Sequence, residues 1–95
     1  MLKFVLQCAA RYPQVKRLVL FGSRARGDAG KRSDFDIAVV APTMTHPQWA
    51  KFSIEIKEHI PTLCGIDLVH LSEETPAPLQ EQIQQQGVII YDQAA

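Results

Sequence analysis

No apolar run in this chain exceeds a few residues, so no segment approaches the length of about 20 residues that a membrane-spanning helix requires. The first residues also lack the charged-then-apolar layout of a secretory signal, and a cytoplasmic protein is expected. Cysteine is scarce. Cys8 and Cys64 lie far apart, form no Cys-x-x-Cys pair and, without an export signal, read as buried free thiols rather than a disulfide or metal pair. His46, His59 and His70 have no ligand spacing either: His59 falls late in a helix, where it can meet the last carbonyls, and His70 at an alternate strand position. Low-complexity stretches and internal repeats are missing and 46% of the residues are hydrophobic, so a folded rather than a disordered chain is expected.

Net charge is missing as well, since ten Lys and Arg offset ten Asp and Glu. General nucleic-acid binding is thereby disfavoured, because it draws on a large basic excess. The balance hides a division: eight of the ten cations lie in the first 32 positions, where Asp28 is the single acid, and nine acids run from Asp34 onward against only Lys51 and Lys57. A local basic loop of this kind suits a nucleoside triphosphate. Ninety-five residues, 46% of them hydrophobic, allow one domain over 1–95 with a modest core.

Leu2, Val5, Leu6 and Ala9 recur at helical spacing, predicting a first helix that stops near Tyr12-Pro13, since the residue before proline avoids the helical region. Val15 to Phe21 reads as a strand buried on both faces. Asp34 to Val40 reads as a second, with Asp34, Asp36, Ala38 and Val40 on one face and Phe35, Ile37 and Val39 on the other. Thr45-His46-Pro47-Gln48 offers a capping hydroxyl, an early proline and a glutamine three residues on, which starts a helix. Its stripe of Trp49, Phe52, Ile56 and Ile60 suits packing on a sheet better than an aromatic binding box, and Pro61 ends it. Gly65 to Leu71 is a third strand, Thr75-Pro76 can open a last helix through Gln86 with Gly87 to close it, and Val88 to Tyr91 is a final strand. The fold class is α/β, a small mixed β-sheet flanked by helices.

Between the first two strands the chain reads Gly22-Ser23-Arg24-Ala25-Arg26-Gly27-Asp28-Ala29-Gly30-Lys31-Arg32-Ser33-Asp34-Phe35-Asp36. A Gly-Ser turn after an apolar run can bring backbone amides and a hydroxyl against phosphate oxygens. No Gly-Lys-Ser/Thr follows the first glycine at the required distance, which excludes a Walker-type P-loop. Asp34 and Asp36 project from one strand face about 6.6 Å apart. They can converge on hard cations about 3.5–4 Å from each other, the arrangement that serves in-line displacement at phosphorus.

The pattern Gly-Ser-x3-Gly-x5-Ser-Asp-x-Asp resembles the signature of the nucleotidyltransferase superfamily that includes DNA polymerase β and the aminoglycoside nucleotidyltransferases. The wording Gly-Ser-Arg-Ala-Arg-Gly followed by Ser-Asp-Phe-Asp is most similar to its short stand-alone branch, the minimal nucleotidyltransferases of the MntA type. The resemblance implies a polymerase-β-like palm in which Asp34 and Asp36 hold two magnesium ions. It also implies a third carboxylate on a neighbouring strand that completes the metal site or accepts the proton of the attacking hydroxyl, and Asp67 is the acid placed to match. Asp67 stands among apolar neighbours, where an unpaired buried carboxylate would be costly and a metal would offset that cost; an exposed strand-edge aspartate is the alternative. Gly22 and Ser23 would contact the β- and γ-phosphates of ATP. Arg24, Arg26 and Lys31 are further phosphate candidates, with a solvated loop face as the equal alternative.

The implied reaction is attack of an acceptor hydroxyl on the α-phosphorus of ATP, releasing pyrophosphate. After Asp67 there is room for about one helix and one strand, too little to enclose a large acceptor. In the resembled branch the acceptor is commonly a tyrosine of a separate helical toxin of the HEPN type, an RNase that the antitoxin adenylylates. Two other readings are a non-catalytic module that neutralises a partner by docking and an enzyme that nucleotidylates a small molecule.

Overall fold

Three apolar or small side chains at helical spacing, Val5, Cys8 and Ala9, are fully buried on one side of α1 (Leu2–Ala10). The computed structural model describes residues 2–22, 35–59 and 65–94. The first helix stops ahead of Tyr12-Pro13, and Arg11 and Tyr12 turn back through their N–H groups onto the carbonyls of Cys8 and Ala9, both at 3.0 Å. A further turn, Val15 N–H to Tyr12 carbonyl at 2.9 Å, delays the first strand, so β1 (Arg17–Phe21) starts two residues later than the apolar pattern predicts. Leu18, Val19 and Phe21 are buried, as expected of a central strand with both faces covered.

β1 pairs antiparallel with β2 (Phe35–Val40), and β2 pairs parallel with β3 (Ile66–Leu71). On the other side of β1 lies β4 (Val88–Asp92), antiparallel, with a register shift between Leu18 and Val19. The order β3-β2-β1-β4 is a mixed four-stranded sheet, in agreement with the class read from the sequence.

The parallel step from β2 to β3 needs a crossover, and α2 (His46–His59) supplies it. Its start is the reciprocal cap that the sequence signals: Thr45 N–H donates to Gln48 Oε1 at 2.9 Å and Gln48 N–H to Thr45 Oγ1 at 3.3 Å. Phe52 and Ile56 are fully buried between this helix and Leu18, Ile37 and Val39, together with the buried side of α1. The helix is thus a packing element. Trp49 lies at the edge of this core, stacked on His70 with ring centroids 4.7 Å apart and planes 16° apart. His59 Nδ1 lies 2.9 Å from the Glu55 carbonyl, and Cys8 is a buried free thiol. Ile60, Pro61 and Cys64 lie outside the described residues.

The other sheet face is smaller. Val19, Phe21 and Ala38 pack against Ile83 of α3 (Ala77–Gln86), with Leu79, Val69 and Leu71 alongside. Pro76 stands at the cap position and offers no side-chain bond, while the Thr75 hydroxyl accepts from the Ser72 N–H at 3.0 Å and holds the preceding turn. Gly87 closes the helix in an extended conformation (φ −71°, ψ 144°), its N–H reaching the Ile83 carbonyl at 2.8 Å.

Candidate active site

The alternation of β2 places Asp36, Ala38 and Val40 on the α3 side of the sheet and Phe35, Ile37 and Val39 on the side of α1 and α2, as predicted. Asp36 begins that row. Its antiparallel partner is Phe21, the last residue of β1, and its parallel partner is Asp67 of β3. Registered residues on neighbouring strands share a face, and the strands lie about 4.8 Å apart. Asp36 and Asp67 therefore stand side by side at one end of one sheet face.

Immediately after Phe21 the chain turns at Gly22, whose φ of 77° is in the left-handed region that glycine adopts without steric cost. That turn folds the backbone against the Asp36 carboxylate. A Cβ built on Gly22 would overlap Asp36 Oδ2 and lie 3.2 Å from its Cγ. Asp36 is half-buried in this cleft, whereas Asp67 is exposed.

The exposure of Asp67 corrects one step of the sequence argument. β3 is an edge strand, and a strand covered on one side only leaves its second residue open to water, so no burial cost calls for a metal there. What stands is its position beside Asp36. Of the residues expected to form the site, Gly22, Asp36 and Asp67 are brought together; Ser23, Arg24, Arg26, Lys31 and Asp34 lie outside the described residues. Two carboxylates on adjacent strands are oxygen donors of the kind that hard divalent cations take, so the residues present fit such an ion. Among the described residues no group of three or more His, Cys, Asp or Glu forms a metal site.

A hollow of about 450 Å³ is lined by Pro42, His70 and the segment 71–74, at the opposite end of β3 from Asp67. A polar cluster that sequence reasoning missed is equally remote. Glu55 of α2 accepts from the Tyr12 hydroxyl at 2.7 Å and pairs with Arg11, tying α2 to the turn after α1. The Tyr12 hydrogen bond holds the Glu55 carboxyl below its ordinary range, aided by Arg11 and opposed by burial. Burial, then the bond to Glu55, pushes the Tyr12 phenol up to about 12. Neither residue lies in an apolar periodicity, so only the tertiary structure reveals the pair.

The family model for the polymerase beta nucleotidyltransferases matches residues 4–95. This chain belongs to that family. Among solved structures, the nucleotidyltransferase is similar to a toxin–antitoxin crystal structure with AMP-PNP, at 24% identity and a TM-score of 0.70, over 96% of this chain and 70% of that one. It is similar to the MntA–HepT toxin–antitoxin at 21% identity and a TM-score of 0.63, over 98% of this chain and 68% of the other. A structure described as a minimal nucleotidyltransferase shares 29% identity, with a TM-score of 0.58, over 90% of this chain and 85% of that chain. At identities below 25%, the two toxin–antitoxin structures speak for the fold alone. No curated protein matches the sequence significantly. No helix among the described residues of this nucleotidyltransferase is long and apolar enough to cross a membrane.

Proposed function

We propose that this nucleotidyltransferase transfers AMP from ATP to a hydroxyl of a separate helical protein, with a tyrosine of a HEPN-type toxin as acceptor and silencing of the toxin as the result. The observation that carries the reading is the meeting of Gly22, Asp36 and Asp67 at one end of one sheet face. Similarity in fold to toxin–antitoxin complexes, one of them with AMP-PNP, supports the choice of nucleotide and partner.

Asp34, Asp36 and Asp67 would hold magnesium, which supplies positive charge against the triphosphate and the attacking oxygen when bound. Gly22 and Ser23 offer a backbone N–H and a hydroxyl to the β- and γ-phosphates, with Arg24, Arg26 and Lys31 as additional cations. Asp67, exposed on an edge strand, is open to an incoming hydroxyl and takes its proton as general base. The acceptor oxygen then bonds to the α-phosphorus, the bond to the bridging oxygen breaks, and pyrophosphate leaves with that electron pair.

The experiment is to purify the protein with its partner from the native host and incubate the pair with ATP and magnesium. An AMP-sized mass gain on a partner tyrosine is expected, and Asp36→Ala should bind the partner yet add nothing. A partner whose mass never changes, but whose activity is silenced equally by wild type and variant, would show that docking alone is the mechanism.

A further inference from the structure

We infer that Gly22 is a positioning residue for Asp36: the absence of a side chain at position 22 creates the space in which the Asp36 carboxylate sits, and through Asp36 it sets the geometry of the metal-holding end of the sheet. The inference rests on the reading of Asp36 as a metal-holding carboxylate and assigns Gly22 a role apart from any phosphate contact. Three observations converge. Phe21 is the ladder partner of Asp36, so the next residue must leave the sheet beside that carboxylate. Gly22 does so at φ 77°, in the left-handed region that residues with a Cβ rarely adopt. A Cβ there would overlap Oδ2 and approach Cγ to 3.2 Å and Cβ of Asp36 to 3.4 Å, so the whole side chain faces the missing substituent.

Asp36 cannot yield easily, because its backbone is held in ladders on both sides, to Phe21 and to Asp67. The adjustment falls on its χ angles, which swing the carboxylate off its place. A misplacement of about 1 Å at a reacting centre costs about 100-fold in rate. A residue that only touched phosphate would instead weaken ATP binding.

The test compares the full chain as wild type, Gly22→Ala, Gly22→Asn and a synthetic chain with D-alanine at position 22. Asparagine tolerates the left-handed region but still carries a Cβ aimed at Asp36, which keeps the test open if Gly22→Ala does not fold. D-alanine favours positive φ and directs its methyl along the other Cα–H bond. The first readout is the Asp36 carboxylate ¹³C resonance, assigned by its loss in Asp36→Asn and recorded without nucleotide or metal. The second is kcat and KM for ATP in AMP transfer.

The resonance should move in Gly22→Ala and Gly22→Asn and stay at the wild-type position with D-alanine, with kcat about 100-fold lower in the two L-variants and KM for ATP changed less than threefold. Folded L-variants whose Asp36 resonance stays in place, or a loss confined to KM, overturn the inference. If wild type transfers nothing while the resonance still moves as described, the proposed activity fails and the positioning of Asp36 by Gly22 stands.

Discussion

Replacing Gly87 with alanine should lower stability even though its backbone conformation, φ −71° and ψ 144°, is open to every L-residue. On the chain alone the change would favour folding by about 0.4–1 kcal/mol, because alanine restricts the unfolded state. The folded state opposes it. The added methyl would run into the Ile83 carbonyl oxygen and Val19 Cγ1, and the Ile83 carbonyl is fixed by its bond from the Gly87 N–H at 2.8 Å. Overpacking of this kind costs about 1–3 kcal/mol. Taking the middle of each range, the net loss is about 1.3 kcal/mol, and at about 4–8 °C per kcal/mol for a domain of this size Tm should fall by about 5–10 °C. Differential scanning calorimetry measures it directly. Adding Val19→Ala removes one of the two obstacles, so the pair should cost less than the sum of the single changes. A Gly87→Ala protein that melts at or above wild type would refute the argument that close approach, not conformation, requires glycine there.

ATP with magnesium should raise Tm more than ATP with a chelator, by mass action on the folded state, and Asp36→Ala should abolish the difference. A full nucleotide shift retained by Asp36→Ala would contradict the site. Phe52→Ala, at a fully buried ring, should cost about 3–5 kcal/mol by chemical denaturation; a cost under about 1 kcal/mol would mean that the core is not built around that ring. Glu55 has a folded pKa below its ordinary 4.5, so its contribution is present above that value and lost as pH falls through the folded one. The Tm gap between wild type and Glu55→Gln should therefore close on acidification, and a gap constant from neutral to strongly acid pH would argue against the Tyr12 and Arg11 contacts. Tyr12 runs the other way: with its phenol raised to about 12, its contribution is whole below the ordinary value of 10 and is lost progressively as pH rises from there through 12, which a Tm series against Tyr12→Phe at alkaline pH would reveal.

Local rules made much of this fold readable. The Thr45/Gln48 cap and the alternation of β2 are set by neighbours in sequence, and both appear where their patterns put them. Asp67 shows where such rules stop. That it lies beside Asp36 follows from parallel register, but its exposure depends on β3 being the last strand on its side, a property of sheet order that no window of sequence contains. Gly87 is similar. A closing glycine was legible at the end of α3, whereas part of the reason for it is Val19, a residue of a distant strand. The partnership of Tyr12 with Glu55 had no pattern at all, because a hydrogen bond between two separate turns of chain leaves no periodicity.

The parallel register of β2 and β3 bears on how the protein folds. Asp36 and Asp67 are separated in sequence by all of α2, so the two carboxylates meet only when that helix has docked and the crossover has closed. Loop closure of this length is an entropic barrier that local contacts cannot lower, and the burial of Phe52 and Ile56 is what repays it. Two acidic side chains from distant parts of the sequence are brought side by side in that same step. A divalent cation held by both carboxylates would favour that pairing, so refolding after dilution from denaturant should accelerate with added magnesium if the pairing of β2 with β3 is present in the transition state, and otherwise only unfolding should slow.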